Sequence, residues 1–212
     1  MRHAPPTAEL TAESNGGGVM LLYNSAVSGN CYKVRLLFAH LGLSYETREV
    51  DVVERSGREQ LLGELNPALR VPTLVLNDGR ALAESNAILC YFGEGSAYLP
   101  DDRFERAQVM QWMFFEQYSH EPNLAVARFL LSISDRPVPQ EYVAGLRKAG
   151  YKALAGMEQW LRGRRYLVTE RYTIADIALY AYTHVAEEGG FELEPYPAIR
   201  AWLDRVPRPA RA

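Results

Sequence analysis

Residues 70–89, RVPTLVLNDGRALAESNAIL, constrain the fold more than any other stretch. Two short apolar runs, 71–76 and 81–83, flank Asn77-Asp78-Gly79-Arg80. Asp-Gly between apolar runs predicts a hairpin, because Gly accepts the positive φ of a tight turn. Pro72 opens the first strand, where its missing N–H is tolerated. Glu84-Ser85 follows the second strand and precedes a helical pattern. A carboxylate and a hydroxyl at a helix N-terminus have two readings. They cap the helix. Alternatively, with the free N–H groups there, they hold the carboxylate and amine of a small charged molecule. Position alone favours the cap.

The flanking chain supplies a context for the hairpin. An apolar run over 19–23 reads as a first strand, and 24–30 as a loop. Val34, Leu37, Phe38 and Leu41 then recur at helical spacing, with Ser28 or Asn30 as cap and Gly42 as stop. Residues 44–50 suit a second strand, and 56–65 a polar helix broken by Asn66-Pro67. With the hairpin and a helix over 85–92 the order is β-α-β-α-β-β-α, which implies a mixed four-stranded sheet. After a Gly-rich stretch every pattern is helical, with breaks at Pro122 and at Arg136-Pro137-Val138-Pro139, which predicts a bundle of four to six helices. The expected map is a disordered tail over 1–18, an α/β domain over 19–93, a linker over 94–103 and an all-helical domain over 104–212.

Composition narrows the partners. At 212 residues, 48% hydrophobic and 23% charged, the chain has the make-up of an ordinary globular protein. A net charge of −3 gives no reason to expect nucleic acid or an anionic membrane. No apolar run approaches the roughly 20 residues of a membrane span. Cys31 and Cys90 make no disulfide framework, and with no signal-peptide core this implies a cytoplasmic protein. No zinc-ligand spacing is present, so no metal is expected.

Val71-Pro72, Glu84-Ser85, a polar loop after the first strand, and Thr173-Ile174-Ala175-Asp176 occur together in this two-part layout. In that combination the chain resembles the cytosolic glutathione transferases over residues 19 to about 206. The resemblance implies a thioredoxin-like N-terminal domain and an all-α C-terminal domain. It also implies a homodimer, and glutathione as co-substrate. It further implies a cis Val71-Pro72 bond, with the Val71 backbone pairing with the cysteinyl unit, Glu84 and Ser85 holding the γ-glutamyl end, and Arg70 near the glycyl carboxylate. Thr173 and Asp176 match the family's capping box, a structural device.

The residue that faces the sulfur is left open by the sequence. A hydroxyl or amide stabilises a thiolate by a charge-assisted hydrogen bond, and a helix N-terminus adds to it. Ser28 sits where theta-like classes carry their serine. Asn30 matches, by its spacing from Lys33, the asparagine of Nu-type bacterial enzymes. The reading adopted is Ser28 with Asn30 assisting. Tyr23 reads as a core residue. Cys31 overlays the second cysteine of a glutaredoxin-like Cys-x-x-Cys, with Ser28 replacing the first, and reads as a buried small hydrophobe. Trp112, Tyr118, His120 and Arg128 are the candidates for the electrophile site. Three functions follow from the resemblance: a glutathione transferase, a Nu-like glutathione-dependent disulfide reductase, and a non-catalytic binding or scaffold protein.

Overall fold

The computed structural model describes residues 18–207, so the expected tail lies almost wholly outside the described residues. The first half runs β1 (Leu21–Asn24), α1 (Gly29–Leu41), β2 (Glu46–Glu49), α2 (Arg58–Leu62), β3 (Thr73–Val75), β4 (Ala81–Ala83) and α3 (Ser85–Gly93). The sheet order is β2-β1-β3-β4. β1 and β2 are parallel, as a helical crossover requires, and the other pairs are antiparallel. The thioredoxin-like expectation therefore holds in topology.

Register explains how the sheet is covered. Leu22 pairs with Leu74, and Leu74 with Leu82, so the three line one face. Val34 and Phe38 of α1 and Ile88 of α3 pack on that face. Tyr23, Val50 and Leu62 cluster together, with Val75 against them. The hairpin closes as expected: Gly79 has φ 84°, and its N–H donates to the Leu76 carbonyl at 2.9 Å.

The second half is helical: α4 (Arg103–Phe115), α5 (Glu121–Arg128), α6 (Gln140–Leu161), α7 (Ile174–Thr183) and α8 (Pro197–Arg205). All ten residues of α7 are buried. Its capping box is complete: Thr173 Oγ1 accepts from the Ala175 N–H at 3.3 Å, and Asp176 Oδ2 from the Thr173 N–H at 2.9 Å. Asp176 Oδ1 also accepts from Leu167 N–H and Trp202 Nε1–H. Leu36 and Leu37 of α1 belong to the same core as α7. α1 is thus held between the sheet and the helical half, which fixes its N-terminus relative to both. Among the described residues no helix is long and apolar enough to cross a membrane.

Two expectations about elements are corrected. The first hairpin strand starts at Thr73, one residue after the Pro72 expected to open it; the Val71-Pro72 bond is cis, and Val71 lies outside the ladder. Pro122 does not interrupt a helix. α4 passes into a π-helical turn over Glu116–His120, then α5, then a second π-helical turn over Phe129–Ile133. Pro122 sits in the first turn of α5, where an absent N–H costs nothing.

Candidate functional site

The first residues of α1 and α3 come together against the turn that joins α4 to α5. Ser85 Oγ donates to Asn30 Oδ1 at 3.2 Å, and Asn30 Nδ2 donates to Glu121 Oε1 at 3.1 Å. Below them Lys33 is fully buried and pairs with the equally buried Glu116 at 2.8 Å. Its ammonium also reaches Ser85 Oγ and Asn86 Oδ1, each at 3.4 Å. Asn86 Nδ2 closes the network on Glu116 Oε2 at 3.0 Å. All three Lys33 donors are therefore used, which a buried ammonium requires.

The open space above this network has two compartments. The smaller, about 60 Å³, is lined by Asn66, Pro72, Glu84 and Ser85 among others. The larger, about 1110 Å³, runs along α5 and is lined by Ser28, Ala125, Arg128, Phe129, Tyr142 and Tyr182 among others. Asn30, Arg70, Val71, Gln117 and Glu121 line both and so mark their boundary.

The wall of the smaller compartment is locally built. Thr73 Oγ1 donates to the Arg70 carbonyl at 2.8 Å, and Asn66 Nδ2 donates to Thr73 Oγ1 and to the Arg70 carbonyl, each at 3.0 Å. These buried side chains pin the segment that carries Arg70, Val71 and Pro72. Glu84, at the N-cap of α3, has φ 69°, a region that non-glycine residues enter at a cost of about 1–3 kcal/mol. The first intrahelical bond of α3 joins the Ile88 N–H to the Glu84 carbonyl. The earlier amides therefore project from the helix end, as at an anion site.

At the start of α1, Ser28 is the N-cap, and its Oγ accepts from the Cys31 N–H at 3.3 Å. Asn30 instead turns its side chain to the boundary. Its N–H donates to Tyr182 Oη at 3.2 Å, which ties the helix end to α7. Gly29 permits this approach, since a Cβ there would lie 2.5 Å from the Tyr182 ring. Cys31 is wholly buried, its Sγ accepts from the Ser25 N–H, and burial pushes its thiol up, so the helix terminus does not activate it. Tyr23 is buried in the core, and Cys90 is half-buried beside Met110.

Of the four residues expected to face an electrophile, Arg128 lines the larger compartment. It bonds the Val27 carbonyl at 2.5 Å and Glu188 at 2.6 Å. The structure does not bring the other three there. Trp112 is in the core, edge-on to Phe115. Tyr118 is 87% exposed and lines neither compartment. His120 is buried, with Nε2 2.9 Å from Thr183 Oγ1. The physical reason is helical phase. Trp112 shares the inward stripe with Val109 and Met113, while the π-helical turn rotates Gln117 and Glu121 to the cleft. Sequence reasoning missed Glu116, Gln117 and Tyr182, and read Asn66 only as a helix breaker. The polar spacing of Glu116 and Glu121, five apart, was the available signal, since a π-helical turn places residues five apart together.

Residues 27–94 match the family model for the glutathione S-transferase N-terminal domain, and residues 120–208 that for the C-terminal domain. Glutathione S-transferase 1 of Schizosaccharomyces pombe is 30% identical, over 89% of this chain and 92% of that one. A crystal structure of glutathione S-transferase from Pseudomonas fluorescens Pf-5 is 49% identical, with a TM-score of 0.85 over 89% of this chain and 94% of that one. Ure2p5 from Phanerochaete chrysosporium, cocrystallised with 1-(S-glutathionyl)-2,4-dinitrobenzene, is 25% identical, with a TM-score of 0.77 over 90% and 89%.

Proposed function

Because the chain belongs to the glutathione S-transferase family, we propose that it binds glutathione across the two compartments and directs its thiolate at a small electrophile. The observation that carries this reading is the meeting of Asn30, Ser85 and Glu84 with the Arg70–Val71–Pro72 segment around one boundary.

Each part of the tripeptide has a counterpart. The γ-glutamyl carboxylate meets Ser85 and the free amides of α3, and its amine meets Glu84. The cysteinyl backbone pairs with Val71, which stands outside the sheet ladder and lines both compartments. Arg70 takes the glycyl carboxylate. The thiol then falls at the boundary, where Asn30 leads and Ser28, engaged in capping α1, assists from the larger compartment. This order reverses the one expected from sequence. The thiolate forms the S–C bond as the leaving group departs with its electron pair, and an apolar wall of Val126, Phe129 and Ile133 receives the electrophile. No group of three metal-ligating side chains is present among the described residues.

The homodimer is proposed with it. Ala107, Gln111, Phe114 and Tyr118 form an exposed stripe on the outside of α4 and the following turn, with Phe114 71% exposed. Pairing with a second copy would cover that stripe. The placement of Asn30 favours one second reading, reduction of a small glutathione disulfide.

Calorimetric titration with glutathione tests the proposal. The expected result is saturable binding that falls at least tenfold in Glu84→Ala; no binding by the parent chain would overturn it. Conjugation of an aryl halide, set against reduction of a small glutathione disulfide, separates the two chemistries. The larger loss of rate is expected in Asn30→Ala, and the smaller in Ser28→Ala.

A further inference from the structure

Five residues line both compartments, and the thiol of a glutathione bound as above lies among them: Asn30, Arg70, Val71, Gln117 and Glu121. Only Glu121 among these carries a group able to take a proton near neutral pH. It belongs to the helical half, while Asn30 belongs to the α/β half, and their hydrogen bond joins the two across the boundary. Glu121 Oε1 accepts that bond, and Oε2 takes no protein hydrogen bond among the described residues. We infer that Glu121 receives the proton of the glutathione thiol, with Asn30 holding its carboxyl in place. The inference rests on the glutathione reading of the site.

The step balances without a further reactant. The S–H bond breaks, its electron pair stays on sulfur, and an O–H bond forms on Glu121 Oε2. The negative charge moves from carboxylate to sulfur and the total is unchanged. Burial pushes the Glu121 carboxyl above the usual carboxylate range. This brings it nearer to a thiol and makes the transfer easier. The charged and titratable groups around it act in both directions. Glu116 reinforces the rise, while Lys33 of α1 and Arg70 oppose it. Tyr182 of α7 stays a neutral phenol, since burial raises it and Glu121 adds to that. His120, the preceding residue, is neutral and bonded to Thr183. A carboxyl that becomes neutral as the thiolate forms leaves no second anion against the sulfur. A permanently ionised neighbour would oppose the thiolate.

Glu121→Gln is the test, because Gln keeps an acceptor for Asn30 and removes the base. The binding probe is S-methylglutathione, which has no thiol proton, and the rate probe is aryl-halide conjugation across pH. The expected result is S-methylglutathione affinity within threefold of the parent and conjugation at pH 6.5 at least tenfold slower. The rate should recover as pH rises and solvent hydroxide replaces the base, and Glu121→Asp should restore part of the rate at pH 6.5. A Gln variant with the parent's pH–rate profile would overturn the inference. So would loss of S-methylglutathione affinity without a change in that profile, which marks a structural role. Failure of the parent to bind S-methylglutathione is a different result and would remove the glutathione reading itself.

Discussion

Glu84 shows most directly what a single residue contributes. Its positive φ is unfavourable for a side chain with a Cβ, and glycine would relieve it. Glu84→Gly should therefore raise stability by about 1 kcal/mol in urea denaturation, the relief of strain less the greater entropy of unfolded glycine. The same change should lower glutathione affinity at least tenfold. A variant that lost stability would contradict the view that the strain serves ligand binding. His120 gives a second residue-scale expectation. Thr183 spends its hydroxyl proton on the Leu179 carbonyl, so His120 donates Nε2–H, and Nδ1 is left as a buried lone pair without a partner. Burial, reinforced by Lys33, depresses this imidazole from 6.5 to about 3. Its contribution to stability is complete above about pH 6.5 and is lost as pH falls toward 3, because the unfolded chain binds the proton first. Asp176 works oppositely: burial raises it from 3.8 to about 6, so stability from that group grows as pH falls through this window. Denaturation midpoints at pH 7 and pH 4.5 should converge in His120→Gln relative to the parent. An unchanged acid limb would contradict the assignment.

Elements were legible in the sequence where local signals and tertiary demands agreed. Asp78-Gly79 fixed the hairpin, Thr173 and Asp176 fixed the start of α7, and Gly42 ended α1 in the left-handed conformation. Legibility failed where packing overrode a local rule. Pro122 signals a break, yet a π-helical turn absorbs it and keeps α4 and α5 in one run. That turn changes which side chains face the cleft, so Trp112, Tyr118 and His120 were expected there and Gln117 was not. The contact between α1 and this turn also rests on a pair invisible to periodicity, Lys33 and Glu116. Removing one partner leaves an uncompensated buried charge. Lys33→Met should cost about 3–5 kcal/mol in urea denaturation. Lys33→Met with Glu116→Leu should recover most of it, since no charge is then stranded. A double variant no more stable than the single would show that the network matters for more than charge balance.

At the scale of the molecule, the hairpin, the N-terminus of α1 and the α4–α5 turn are three distant pieces of sequence that meet at one boundary. The first two were recognisable as site elements from Val71-Pro72, Glu84-Ser85 and the Ser28–Asn30 loop. The third was flagged through Tyr118 and His120 but with the wrong side chains, because which of its residues face the cleft depends on how the helical half docks on α1 through Leu36, Leu37 and α7. Docking also aims Asn30 at Glu121 and Ser85, while the Ser28 hydroxyl accepts in the cap of α1, which supports the proposed lead of Asn30 over Ser28. The central claim is that this boundary holds glutathione as its thiolate. It is tested by titrating the ultraviolet thiolate absorbance of protein-bound glutathione against pH, in the parent and in Asn30→Ala. The account predicts a midpoint at least one pH unit below the roughly 8.5 of a free thiol in the parent, and a return toward that value in Asn30→Ala. A bound thiol that titrates like free glutathione in the parent would contradict it.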